Sequence, residues 1–161
     1  SKKKSSKSSK SSKSSKSSKL LESKDSSTTQ TQLKSLYNDY DNVINLKRSD
    51  FKIDKTTKPY KIKLIHPKFK NKKGLINFYA DWCGHCKNMV PVWADVASLT
   101  AGKFVFGAVN CEDAENNNHQ LRADIGVKYY PTIYYITKSG NLVKYNDDTT
   151  RDSLIMFIYS K

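Results

Sequence analysis

The chain has 161 residues, 37% of them hydrophobic and 27% charged, with 29 basic against 15 acidic side chains and a formal net charge of +14. That length accommodates one ordinary domain with a tail, and hardly two domains with separate cores. No run of about 18 apolar residues occurs, which excludes a membrane-spanning helix, and three Cys are too few for a small scaffold held together by disulfides.

The charge is concentrated at the start. Residues 1–19 carry eight Lys and no acid in a nearly regular Ser-Ser-Lys repeat, which leaves 21 basic and 15 acidic residues, or +6, for the remaining 142. A segment with nothing apolar to bury and a strong self-repulsion is expected to be disordered. Its functional reading is a weak tether for nucleic acid, anionic lipid or an acidic partner, acting through counterion release. Its plain reading is a solubilising tail in a lysine-biased chain, since Lys outnumbers Arg by 26 to 3. The residues after Ser1 contain no apolar segment of a secretory signal, and the terminal Tyr159-Ser160-Lys161 is no retention signal. Ser1 itself fits removal of an initiator Met. These features favour a cytoplasmic or virion location over a secretory lumen, although a chain that begins inside a longer protein would look the same.

Residues 22–32 (ESKDSSTTQTQ) continue as polar linker, so tail and linker together span 1–32. Leu33, Leu36, Tyr37 and Tyr40 then fall on one helical face and predict a short docked helix, or residual order in a linker, over 33–42. From Val43 to the end the chain reads as one globular domain. Val43–Leu46 and 60–65 are predicted strands separated by a Lys-rich loop. The apolar run GLINFY at 74–79 predicts a buried parallel strand. Residues 81–99 read as a turn feeding a helix, kinked at Pro91. A strand over 104–109 and a short helix over 118–124, ended by Gly126, come next. Strands over 132–137 and 142–145 pair across Ser139-Gly140, and Leu154, Ile155, Phe157 and Ile158 give a closing helix its apolar face. Alternating strands and helices, then a hairpin and a helix, imply an α/β fold with a mixed central sheet flanked by helices.

The chemistry resides in Trp82-Cys83-Gly84-His85-Cys86-Lys87, between the buried strand and the helix it feeds. At a helix N-terminus, unpaired backbone N–H groups and the macrodipole favour an anion. Cys83 at that position is therefore expected to be the reactive thiolate of a disulfide exchange. Cys86, less than a turn further on, is placed to attack a mixed disulfide and release the substrate. A cationic His85 would favour the thiolate over the disulfide, and Gly84 is expected to permit the tight turn between the cysteines.

This sequence resembles the thioredoxin superfamily, and most closely the catalytic domains of protein disulfide isomerases. The likeness covers 43–161 and rests on FYADWCGHCK at 78–87, Pro91, VNCED at 109–113, GVKYYPTIYYI at 126–136 and TRDSLIMFI at 150–158. It implies a thioredoxin fold and a thiol–disulfide oxidoreductase acting on protein or peptide thiols and disulfides, with glutathione or a reductase as electron partner. No cofactor is implied beyond the redox-active Cys83–Cys86 pair, and no metal. The resemblance further implies a cis Tyr130-Pro131 bond opposite the cysteines, which holds substrate by backbone hydrogen bonds and keeps metal ions away. A trans proline opening a strand is the alternative that position alone permits. Trp82 is expected to pack beside the site or to be a surface aromatic. Arg151 matches an arginine that swings toward the second cysteine and lowers its pKa; otherwise it is a solvated residue in the last helix's first turn.

One departure stands out. The family usually has a buried acid six residues before the first cysteine, and this chain has Asn77, which cannot titrate. Slower resolution by Cys86 is the expected consequence. Cys111 reads as a buried inert thiol, with a regulatory disulfide as the sharper alternative. Two rivals from other classes are a zinc site of Cys83, Cys86, Cys111 and His119, which lacks a second CxxC or CxxH pair, and a redox-fold adaptor recruited by the tail. The pair's direction (oxidase, isomerase or reductase) stays open, because Gly-His pairs resemble isomerases near about −180 mV, against about −270 mV for thioredoxin.

Overall fold

A computed structural model describes residues 35–161, and the expectations for the tail and linker over 1–32 and for Leu33 lie outside them. Gly74–Tyr79, all six residues buried, forms the middle strand of a five-stranded sheet. In chain order the strands are β1 (Val43–Leu46), β2 (Phe51–Asp54), β3 (Lys61–Leu64), β4 (Gly74–Tyr79), β5 (Val105–Asn110), β6 (Thr132–Ile136) and β7 (Leu142–Lys144). The helices are α1 (Gly84–Leu99), α2 (Asn118–Ile125) and α3 (Arg151–Tyr159). The main sheet runs β1-β5-β4-β6-β7; β1, β5 and β4 are parallel, β6 is antiparallel to β4, and β7 is antiparallel to β6.

Register decides which face each β4 side chain serves, because successive residues alternate. Leu75 and Tyr79 join the cluster containing Trp93 of α1 and Leu154 and Ile158 of α3. Ile76 and Phe78 join the opposite cluster with Leu121 of α2 and Phe51, Leu64 and Phe69. Both faces are thus covered, which is why β4 reads as a nearly continuous apolar run. Trp93 anchors the first layer: it is fully buried, its ring meets Phe106 edge-on at 4.9 Å, and its Nε1 donates to the Gly107 carbonyl at 3.1 Å. A Cβ at Gly107 would lie 2.7 Å from Leu46 Cδ1 and 3.1 Å from Phe69 Cζ, so these buried side chains would have to shift to admit one. At the end of α2 the backbone turns left-handed, and Gly126 supplies φ 89°.

Two expectations need correction. Of the segment 33–42, the described residues 35–42 are not helical: residues 36–39 form turns, with Tyr37 only 1% exposed. The Lys-rich loop between the first two predicted strands contains a strand of its own, β2, paired antiparallel with β3 as a separate two-stranded sheet. Phe51 and Leu64 point into the core while Lys52 and Lys63 face water, so charge masked a period-two alternation. Helix α1 runs unbroken through Pro91, whose missing N–H leaves the Lys87 carbonyl without its usual helical donor. Among the described residues no helix is long and apolar enough to cross a membrane.

Candidate active site

The chain leaves the carboxyl end of β4 at Tyr79, turns at 81–82 and enters α1 at Gly84, with Cys83 as the N-cap. The N-cap backbone is extended at φ −81° and ψ 121°. Its side chain therefore folds back over the first turn, and the Cys86 amide N–H donates to Cys83 Sγ at 3.4 Å. Cys83 is half-buried with an open side, whereas Cys86 is only 1% exposed, so solvent reaches one sulfur and the other is shielded behind it. Both are free thiols. Burial pushes the Cys86 thiol up to about 12, and its hydrogen bond with Cys83 adds to the rise.

Opposite the pair, the Tyr130-Pro131 peptide is cis, and the Tyr130 carbonyl accepts from the Cys83 thiol at 3.8 Å. The Tyr130 ring meets Trp82 edge-on at 6.0 Å, and Trp82 remains 64% exposed. The Arg122 guanidinium sits 5.8 Å from the centroid of the same ring. The Tyr130 hydroxyl reaches Cys111, a buried thiol that burial raises to about 12 and that this hydrogen bond eases down. Desolvation likewise raises Tyr130 to about 12.

Asn77 is completely buried on the α1 side of β4. Its Nδ2 donates to the Tyr37 hydroxyl at 3.1 Å and faces Met89 Sδ at 4.0 Å, while its Oδ1 has no partner. Tyr37, whose phenol is raised by desolvation, shares one buried cluster with Cys86 and Met89 on this face of the sheet.

The structure thus gathers Trp82, Cys83, Cys86, Tyr130 and Pro131 at one end of the sheet, with Asn77 beneath. His85 projects exposed from the first turn of α1. Arg151 is elsewhere: its Nε donates to Asp95 Oδ2 at 2.8 Å, and Asp95 lies nine residues along α1 from Cys86, about 13 Å on a helix rising ~1.5 Å per residue. Gly84 also departs from expectation, because a Cβ there would meet nothing within 4 Å and its φ is not left-handed. The turn between the cysteines is ordinary helix start and imposes no glycine. Among the described residues no group of three or more His, Cys, Asp or Glu is arranged to hold a metal ion.

Tyr37, Arg122, Lys128 and Tyr129 surround this site without having been singled out for it. Tyr37 had a signal, its place in an apolar spacing. Arg122 had only its rarity, as one of three arginines beside 26 lysines.

Comparison with known proteins agrees with this geometry. A thioredoxin family model matches residues 52–160. A protein disulfide-isomerase of Zea mays is 37% identical over 91 residues, which is 56% of this chain and 17% of that protein. The human DnaJ homolog subfamily C member 10 is 35% identical over 82 residues, or 51% of this chain and 10% of its own length. Among solved structures, the J-Trx1 fragment of ERdj5 superposes with a TM-score of 0.58 at 27% identity, covering 77% of this chain and 53% of the fragment. The chain therefore spans less than a fifth of the curated relatives it matches. With the family match spanning most of its length, this chain belongs to the thioredoxin family, its domain similar to those of protein disulfide isomerases.

Proposed function

We propose that this protein is a thiol–disulfide oxidoreductase exchanging disulfides with protein substrates through Cys83 and Cys86. The observation that carries the reading is the asymmetry of the pair: Cys83 caps a helix with an open side, and Cys86 lies buried behind it. Cys83, as thiolate, attacks one sulfur of a substrate disulfide. That S–S bond breaks, a mixed disulfide forms, and the departing substrate thiolate takes up a proton. Cys86 then gives up its proton and attacks Cys83 Sγ, closing the Cys83–Cys86 disulfide and expelling the second substrate sulfur as a thiolate, which takes up a proton. The substrate gains two electrons and the protein loses two; the reverse sequence oxidises a substrate dithiol.

Cys86 is a thiol at neutral pH, since burial holds it near about 12, so the closing step needs a proton acceptor at the moment of attack. Asn77 cannot serve as one. Trp82 and the Tyr130-Pro131 peptide flank Cys83 where a bound chain would pass, which supports a substrate-positioning role for them. Direction follows from the potential of the pair relative to its surroundings: an isomerase-like value near about −180 mV would keep it reduced in a cytosolic glutathione pool and oxidising elsewhere. Glutathione or a dedicated reductase would return electrons to the pair, and the lysine tail over 1–19 would add a weak anionic partner.

Insulin reduction and refolding of scrambled ribonuclease test the proposal. Wild-type protein catalyses one or both, and Cys83→Ser abolishes them; equal rates with and without the wild-type protein would leave an adaptor role in its place.

A further inference from the structure

Beside Cys83 a cleft of about 460 Å³ opens toward α2 and the loop that precedes β6. Trp82, Cys83, Arg122, Lys128 and Tyr129 are among the residues that line it. Tyr129 is 73% exposed and Trp82 64%, so the cleft presents aromatic surface to solvent. Such side chains favour burial against a partner.

The charge of this cleft is uncommitted. The chain's other two arginines are both bound to carboxylates, Arg48 to Asp124 at 3.6 Å and Arg151 to Asp95 at 2.8 Å. Arg122 enters no ion pair among the described residues, and its buried Nε has no hydrogen-bond partner. It is half-buried, with its guanidinium 5.8 Å from the ring centroid of Tyr130, whose carbonyl accepts from Cys83. A positioned guanidinium loses little freedom on binding a carboxylate and can grip it with two parallel hydrogen bonds. Lys128 is exposed beside it, and exposed His119 adds another donor to the cleft. The cleft holds one carboxylate, Glu112, against these cationic groups.

Resting on the oxidoreductase reading of Cys83, we propose that this cleft selects the substrate: it binds cysteine-bearing segments with Asp or Glu within a few residues of the reacting sulfur. The acid pairs with Arg122 and Lys128 while Trp82 and Tyr129 cover the apolar neighbours. Because the whole chain is strongly basic, acidic substrates also gain from long-range attraction, and a test must separate that general effect from the local one.

Two peptide disulfides identical except for Asp/Glu or Asn/Gln around the cysteine serve as probes. Wild-type protein is expected to react at least fivefold faster, in kcat/KM, with the acidic peptide. Lys128→Glu, a reversal at an exposed side chain that leaves the core intact, and Arg122→Gln should each reduce that ratio to below twofold, while Arg122→Lys retains part of it. Lys72→Gln, at the opposite end of the sheet, should leave the ratio unchanged. The same peptides with Ser for Cys, followed by tryptophan fluorescence, should show the same order of affinity with no exchange chemistry. Equal rates and equal affinities for the two peptides overturn the proposal, as does a ratio that survives Lys128→Glu or falls equally with Lys72→Gln. Unequal binding without exchange on either peptide would uphold the cleft and sink the oxidoreductase reading instead.

Discussion

Asn77 donates its side-chain N–H to the Tyr37 hydroxyl at 3.1 Å, joining the buried middle strand to a turn 40 positions earlier in the chain. Tyr37 also meets Tyr79 edge-on at 5.5 Å, and the Tyr79 hydroxyl accepts from the Leu36 amide at 3.0 Å. The segment before β1 is thereby sewn to the sheet directly behind Cys86, at the place where the family pattern has an acid.

Tyr37→Phe keeps the ring and deletes the hydroxyl, leaving Asn77 Nδ2 with only the Met89 sulfur at 4.0 Å. A buried donor stripped of its acceptor costs about 1–3 kcal/mol. The urea midpoint should fall accordingly with an unchanged m-value; an unaltered midpoint would show the bond to be energetically idle.

Asn77→Asp introduces a titratable group beneath Cys86. It should speed closure of the Cys83–Cys86 disulfide and raise steady-state turnover, because the carboxylate can accept the proton that Asn77 cannot. Folding stability should drop, by about 1–3 kcal/mol, from burying an acid beside an unpaired position. Stopped-flow decay of a preformed mixed disulfide is the direct measurement, and an equal or slower decay would remove proton acceptance from the explanation.

Cys86→Ala should arrest the reaction at the mixed disulfide. Substrate protein then accumulates on Cys83 and appears by mass spectrometry under non-reducing conditions, with Cys111 unmodified because it is wholly buried. Adducts distributed over Cys111 would contradict its inert placement.

Stability should decline on the alkaline side. Cys86 and Cys111 are raised from 9.0, and Tyr130 and Tyr145 from 10.0, all to about 12 by burial. Each holds its proton more tightly folded than unfolded. Between roughly pH 9 and pH 12 the unfolded chain therefore binds fewer protons, and unfolding becomes easier as pH rises. The stabilisation is complete below about pH 9 and is lost through about pH 12. Urea midpoints at pH 7.5, 9 and 10.5 should fall progressively, with a shallower fall in Cys111→Ala; a flat profile would refute the assignment.

Trp93→Ala removes the largest fully buried side chain of the α1 layer together with its bond to the Gly107 carbonyl. A loss of about 3–5 kcal/mol is expected. Thermal unfolding would register it as a markedly lower Tm, and a small change would mean the neighbouring rings collapse into the space.

Much of this molecule is written locally. GLINFY followed by a turn and a Cys-Gly-His-Cys helix start needs only period, burial and end effects to be read, and β4, α1 and the two cysteines lie where those rules put them. The same local reading failed for β2, where Lys52 and Asp54 hid the inward Phe51 and Ile53. Over 35–42, of the two alternatives that the spacing left open, the described residues take turns and not a helix. Which cysteine is shielded, that Arg151 answers to Asp95, that Asn77 meets Tyr37, and that Arg122 stands unpaired beside Cys83 were decided only by folding. Periodicity reports which way a residue faces relative to its neighbours in the chain. Contacts across tens of residues depend on how faces from separate elements are brought together, and no spacing along the chain encodes that distance.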